Sequence, residues 1–189
     1  MDVVLASGSP RRRELLEMIG LGGFRVIPDT NDELMPDGLP PAIAVCSIAM
    51  QKAANVSLSC GGEVLIIAAD TLVYLDGHPL GKPDCPAGAR AMLRELSGRR
   101  HTVYTGVSLL RGDARVSRAE STDVYFREIS DEEISAYVAT GEPMDKAGAY
   151  GAQGRGALFI ERIEGDFFNV MGLPLCRLSI MLRDFGVYL

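Results

Sequence analysis

The sequence predicts an α/β fold built on a mixed sheet, and three observations carry that expectation. Aliphatic runs of strand length, at residues 3–6 and 64–69, alternate with segments of helix length. Those segments carry their own punctuation, with Pro10 and Pro86 in first-turn positions and Gly20, Gly98 and Gly141 just past the ends. Two Asp/Gly pairs, Asp76-Gly77 and Gly112-Asp113, close hairpin-like strand pairs, which adds antiparallel neighbours to strand–helix–strand units.

In chain order, VVLA at residues 3–6 reads as a short buried strand. Ser9 is placed as the N-cap, and Pro10 opens a helix running to about residue 19. A second strand is expected at residues 24–27, a polar, proline-containing loop at 29–41, and a helix of small and apolar residues at 42–56. The run VLIIAA at 64–69 is followed by strand-forming residues 71–75, which end at Asp76-Gly77. Residues 86–96 form a helix, 102–110 a strand, and the mostly polar stretch 116–129 a long half-exposed strand pairing back across Gly112-Asp113. Ser130 and Glu133 make a capping box for a helix to about residue 140. A glycine-rich segment at 141–156 precedes a strand at 157–163, and the last helix runs from Pro174 to about residue 185.

The 189 residues are 47% hydrophobic and 23% charged, which suits one folded domain rather than a disordered chain. A net charge of −6 argues against a nucleic-acid polymer or an anionic membrane as partner, since both demand an excess of cation. Cys46, Cys60, Cys85 and Cys176 share no zinc or redox spacing and read as free thiols. The longest apolar run, 64–69, is far short of a membrane span, and the first residues reverse the charge order of a signal peptide. The expectation is a soluble, cytoplasmic protein.

Four segments carry chemistry. Ser7-Gly8-Ser9-Pro10-Arg11-Arg12-Arg13 joins a buried strand to a helix start, where free N–H groups favour an anion. Three arginines in a first turn oppose the helix dipole, and a bound phosphate chain would reverse that sign; a solvated basic turn is the alternative. Asp70, followed by Thr71, ends the aliphatic run where open α/β sheets place their ligands, so it reads either as a base or metal ligand or as a strand-ending turn residue. Lys52 among alanines and Lys82 in Gly81-Lys82-Pro83 are candidate cations, and Glu33 is a second, loop-borne acid. In the segment 141–154, Gly148, Gly151 and Gly154 permit close backbone approach to a ligand. Gln153 there offers an acceptor beside a donor, matching the N3–H and O4 edge of uracil or thymine, or cytosine with the amide flipped. Tyr150 reads as a core or pocket-lining residue. His78 and His101 form no metal pair, and no serine has a triad.

Taken together, ASGSPRRRELL, AADTLV, LGKP, LSGRRHTVYTGV, GEPMDKAGAYGAQG and IEGDFFNVMGLPL resemble, in order and over almost the whole chain, the Maf-type nucleotide pyrophosphatases. The resemblance implies an ITPase-like fold, an elongated mixed sheet flanked by helices in two lobes with the site in a central cleft, here as a single domain of residues 1–189. It implies hydrolysis of a nucleoside triphosphate to monophosphate and pyrophosphate with a divalent cation, Mg or Mn, in a homodimer that removes unwanted nucleotides. Ser7, Arg11 and Arg12 resemble the phosphate cradle, with Arg13 beside it. Lys52 and Lys82 resemble the catalytic lysines, Asp70 the base or metal ligand, and Glu33 the second acid near the metal. AYGAQG resembles the branch acting on dTTP and UTP, with Arg12, Thr71 and Gln153 at positions that differ in a sister branch preferring 7-methyl-GTP. Ser47, Gln51 and Ala152 depart from the residues more usual in the family. A nucleotide-binding regulator of cell division and septum formation, with incidental catalysis, is the rival reading; the acid and lysines favour the enzyme. A kinase-like transferase is weaker, because no GxxxxGK[ST] is present.

Overall fold

The computed structural model describes residues 2–31, 38–61 and 63–189. Within them, β1 (Val3–Leu5), α1 (Pro10–Met18) and β2 (Arg25–Val26) form the first strand–helix–strand unit, followed by α2 (Pro41–Ser57) and β3 (Leu65–Leu75). β4 (His78–Leu80), α3 (Pro86–Leu96), β5 (Arg100–Arg111), β6 (Ala114–Phe126) and α4 (Asp131–Val138) come next. Three 3-10 turns, Glu142–Asp145, Ala147–Ala149 and Arg155–Phe159, lead to β7 (Ile160–Glu164), α5 (Phe167–Met171) and α6 (Leu175–Arg183).

The sheet has seven strands in the order β2-β1-β3-β5-β6-β7, with β4 also pairing β3. It is mixed, as expected: β1 runs parallel to β2 and β3, with Val4 opposite Arg25 and Ile66. β3 and β4 are antiparallel, with Leu75 opposite His78 across the two-residue turn Asp76-Gly77. Both turn residues have positive φ, 50° and 81°, the backbone hand that matches strand twist in a tight hairpin. The capping box forms in full, Ser130 Oγ accepting from Glu133 N and the Glu133 carboxylate accepting from Ser130 N.

Two compact units emerge. The first comprises Met1–Asp70, Thr105–Glu120 and Gly172–Leu189, with Val4, Ala6, Ala53, Val56, Ile66, Ala68 and Leu110 in one buried cluster. Here α2 lies directly on β5: a Cβ added at Gly106 would overlap the Val45 carbonyl and stand 2.6 Å from Cys46 N. The second comprises Thr71–Tyr104 and Ser121–Met171, where Leu93 and Leu96 of α3 pack with Ile134, Tyr137 and Val138 of α4 and with Phe126 and Phe159.

Residues 65–75 form one continuous strand, as expected, so Asp70 does not end it as a turn residue would. Two boundaries differ from expectation. β6 stops at Phe126, because Ile129 N donates to Ser97 Oγ (2.8 Å) instead of to a strand. The strand expected at 157–163 begins only at Ile160, since residues 155–159 take a 3-10 turn. The short helix α5 was not anticipated; its buried Asn169 donates to Val103 O (3.0 Å) and Thr122 Oγ1 (2.9 Å). No helix among the described residues is long and apolar enough to cross a membrane.

Candidate active site

In the first unit, the backbone delivers a lysine and a carboxylate to one buried point. β3 is buried at every position from Leu65 to Asp70, so its last residue there, Asp70, is only 5% exposed. α2 is held against β5 by the missing side chain at Gly106, which brings Lys52 in from the helix. Lys52 Nζ donates to Asp70 Oδ1 at 2.6 Å, with the two side chains 12% and 7% exposed. Lys52 is thus buried and paired rather than solvated. Asp70 Oδ2 is buried and accepts no hydrogen bond among the described residues. An orphaned buried carboxylate oxygen costs free energy unless something else meets it.

Asn55, three residues after Lys52, donates to Asp29 Oδ2 at 2.9 Å. Burial pushes the Asp29 carboxyl upward, but hydrogen bonds from Asn55 and Asn31 and the Lys52 charge outweigh it and hold the group below its ordinary value. No local motif marks Asp29 in the sequence; the i, i+3 spacing of Lys52 and Asn55 on one helix face is the available signal.

The turn from β1 into α1 is tied by Arg12. Its Nε donates to Gly172 O (2.8 Å) and its Nη1 to Ser7 Oγ (3.0 Å), while Ser9 N also donates to Ser7 Oγ (3.3 Å). Ser7 is buried and Arg11 half-buried. Ser9 sits at the N-cap with extended backbone, but its side chain makes no capping bond, and the first turn holds no acid. The helix start thus keeps the electropositive character that suits a phosphate. Arg13 is exposed and instead pairs with Glu17, one turn along, at 2.9 Å.

The second unit holds Thr71, Lys82 and Gln153. Thr71 is half-buried in β3, and Lys82 and Gln153 are exposed. Two loops that look independent in sequence are joined, Gly148 N donating to Gly81 O (3.0 Å) beside Lys82. Gly148 has φ +68°, and a Cβ there would lie 3.0 Å from Val73 Cγ2. At Gly151 and Gly154 the close neighbours are Lys146 and Glu142, so these glycines accommodate the loop's own side chains. Tyr150 is core: it is buried against His101 and Phe126, with its hydroxyl 2.8 Å from His101 Nε2 and its pKa pushed up by burial. His78 is exposed on β4.

Glu33 lies outside the described residues. Among those described, no three His, Cys, Asp or Glu side chains gather to hold a metal. What fits a cation is the open Asp70 Oδ2, since Mg²⁺ keeps several waters and takes as few as one or two carboxylates.

Comparison with known proteins supplies the family and the fold. A 53% identical relative from Moorella thermoacetica, "dTTP/UTP pyrophosphatase", aligns with 98% of this chain and 95% of its own length. A protein of the same name from Pelotomaculum thermopropionicum is 49% identical, over 98% and 97%. Among solved structures, a HAM1 protein from Coxiella burnetii superposes with a TM-score of 0.53 at 18% identity, covering 97% of this chain and 99% of that one. The Staphylococcus aureus Ham1 protein gives 0.52 at 14%, with the same coverage. These two structures establish the ITPase/Ham1-like fold. The family model described as Maf-like protein matches residues 2–185, and the chain belongs to the Maf family.

Proposed function

We propose that this chain hydrolyses dTTP and UTP to the monophosphate and pyrophosphate. The observation that carries the reading is the buried Lys52–Asp70 pair with Asp70 Oδ2 left open, in the same unit as the Arg12-tied start of α1. A pure nucleotide binder needs cations for the phosphates but gains nothing from a buried carboxylate with an unmet oxygen. The names of the relatives support the substrate class.

In this reading water attacks the α-phosphorus, the bond from it to the bridging oxygen breaks, and pyrophosphate leaves. The N–H groups at the start of α1, with Ser7, Arg11 and Arg12, bind phosphate oxygens, and Lys52 and Lys82 add positive charge as the leaving group forms. Asp70 Oδ2 would hold a Mg²⁺ or Mn²⁺ ion, with Glu33 assigned beside it by family resemblance. When bound, the ion supplies charge neutralisation at the phosphates and acidifies its water. Lys52 keeps Asp70 Oδ1 engaged, so the carboxylate presents one defined oxygen. Gln153 reads the N3–H and O4 edge of the base, with Thr71 and Arg12 at the other positions that separate this branch from its sister. A cytoplasmic homodimer belongs to the same reading.

A panel of nucleoside triphosphates with Mg²⁺ or Mn²⁺, scored separately for pyrophosphate and phosphate, tests it. Pyrophosphate from dTTP and UTP is expected. Phosphate release, or preference for 7-methyl-GTP, would overturn it.

A further inference from the structure

The loop that carries Gln153 is closed by one carboxylate. Glu142 Oε1 accepts from Tyr137 Oη (2.9 Å) and from Gly156 N (3.2 Å), and Glu142 Oε2 accepts from Arg155 N (3.0 Å). Tyr137 Oη in turn accepts from Gly151 N at 3.1 Å. The donors and acceptors balance: Gly151 N–H gives to the phenol, the phenol gives to the carboxylate, and the carboxylate takes two more backbone N–H groups. Those N–H groups, at 151, 155 and 156, are the two ends of a short arch whose apex is Ala152, Gln153 and Gly154. Without Glu142 nothing in this network would join them.

The glycines are built around the same carboxylate. A Cβ at Gly154 would stand 2.6 Å from Glu142 Oε1, at a φ of +143° that side chains rarely adopt. At Gly151 a Cβ would meet Lys146 Cε at 2.9 Å, and at Gly156 it would meet Gly151 O at 2.6 Å and Tyr137 Oη at 2.8 Å. Lys146 Nζ, on a side chain 11% exposed, donates to the Glu142 carbonyl at 2.6 Å and so anchors the backbone that carries the carboxylate. Burial pushes the Glu142 carboxyl up, but the N–H groups of Arg155 and Gly156, the Tyr137 hydroxyl and Lys146 outweigh it, so the group stays ionised.

We propose that Glu142 is a positioning residue for base selectivity: its carboxylate fixes the arch on which Gln153 is presented, and it does so without touching substrate. The proposal rests on the reading of Gln153 as the base-contacting residue. A hydrogen-bonding side chain discriminates between bases only as sharply as its backbone is fixed, because a mobile amide adjusts to either edge.

The test is the ratio of kcat/KM for UTP over CTP, two substrates that differ only on the base edge. Glu142→Ala, Gln153→Ala and the double variant are compared with the parent. Glu142→Ala is expected to cut the ratio on the order of tenfold, mostly through KM for UTP. The double variant is expected to be no less selective than Gln153→Ala alone, since both act through one amide. Glu142→Asp, which retains a carboxylate, should recover part of the ratio. If Gln153→Ala lowers selectivity but Glu142→Ala does not, or if the two effects simply multiply, the positioning role is overturned while the reading of Gln153 survives. If Gln153→Ala itself leaves the ratio unchanged, both fall, and that single variant identifies the cause. Should Glu142→Ala not fold, Tyr137→Phe serves instead: it keeps the ring packed against Phe159 and removes only the hydroxyl between Gly151 and Glu142. It is expected to lower the ratio by a smaller factor, and an unchanged ratio counts against the proposal.

Discussion

Lys52 Nζ stands 2.6 Å from Asp70 Oδ1, eighteen positions away in sequence, and both side chains are almost wholly buried. A pair of this kind adds little net stability, yet removing one partner strands the other charge out of water. Lys52→Met and Asp70→Asn are each expected to lower unfolding stability by about 3 kcal/mol, and the double variant to recover much of the loss. Urea denaturation of the three variants measures this. Asp70→Asn, which keeps the shape of the side chain, should still fold and hydrolyse UTP at least about 100-fold more slowly. Near-normal turnover would remove Asp70 from the mechanism.

Adjacent arginines should behave differently. Arg12 spans Gly172 O and Ser7 Oγ with two nitrogens of one planar group, which a lysine cannot reproduce. Arg12→Lys is expected to raise KM for UTP about tenfold. Arg13 is exposed and engaged in an i, i+4 pair with Glu17, which solvent screens. Arg13→Ala should therefore change KM by less than about threefold. Steady-state kinetics on both variants separates an arginine built into the turn from one on its rim.

Gly106 sets how closely α2 approaches β5. Gly106→Ala places a methyl group on the backbone of Val45 and Cys46, so the helix must move outward. A loss of about 1–3 kcal/mol or more is expected, with lower activity because Lys52 rides on the same helix. Calorimetry together with turnover checks both effects; a variant as stable and active as the parent would show that the contact yields freely.

His101 makes stability depend on pH. Its ring is buried against Phe126 and Tyr150, and burial lowers its pKa from 6.5 to about 4, against a small opposing pull from Asp123. Above pH 6.5 both folded and unfolded chains carry it neutral, and its contribution is complete. As pH falls from 6.5 toward 4, the unfolded chain binds a proton that the folded chain refuses, and stability drops by about 3 kcal/mol. His101→Gln should lose this part of the pH dependence. Melting temperatures of parent and variant at pH 7.5 and pH 5 test it, the parent falling further than the variant.

Much of the fold was legible because its signals are local. The caps and breakers at Pro10, Gly98, Ser130 and Glu133 act within a few residues, and the Asp76-Gly77 turn carries its own backbone preference. The strand boundaries that moved, at Phe126 and Ile160, depend on partners distant in sequence, such as Ser97 for Ile129 N. For the site, Ser7, Arg12, Asp70 and the lysines were legible as residue types in suggestive places, while Glu142 was not, since an exposed-looking acid in a glycine-rich loop has no sequence mark of being its keystone.

What the sequence by itself determined was the α/β order of elements, the acidic net charge and the family. Tertiary structure alone decided which charges meet: that Lys52 is buried on Asp70 rather than solvated, that Arg13 belongs to Glu17, and that the loop glycines yield to Glu142 and Val73. The physical reason is distance. Helix propensity, capping and turn geometry are settled between near neighbours, whereas burial, pairing and the orphaning of Asp70 Oδ2 arise only when segments far apart in the chain are packed together.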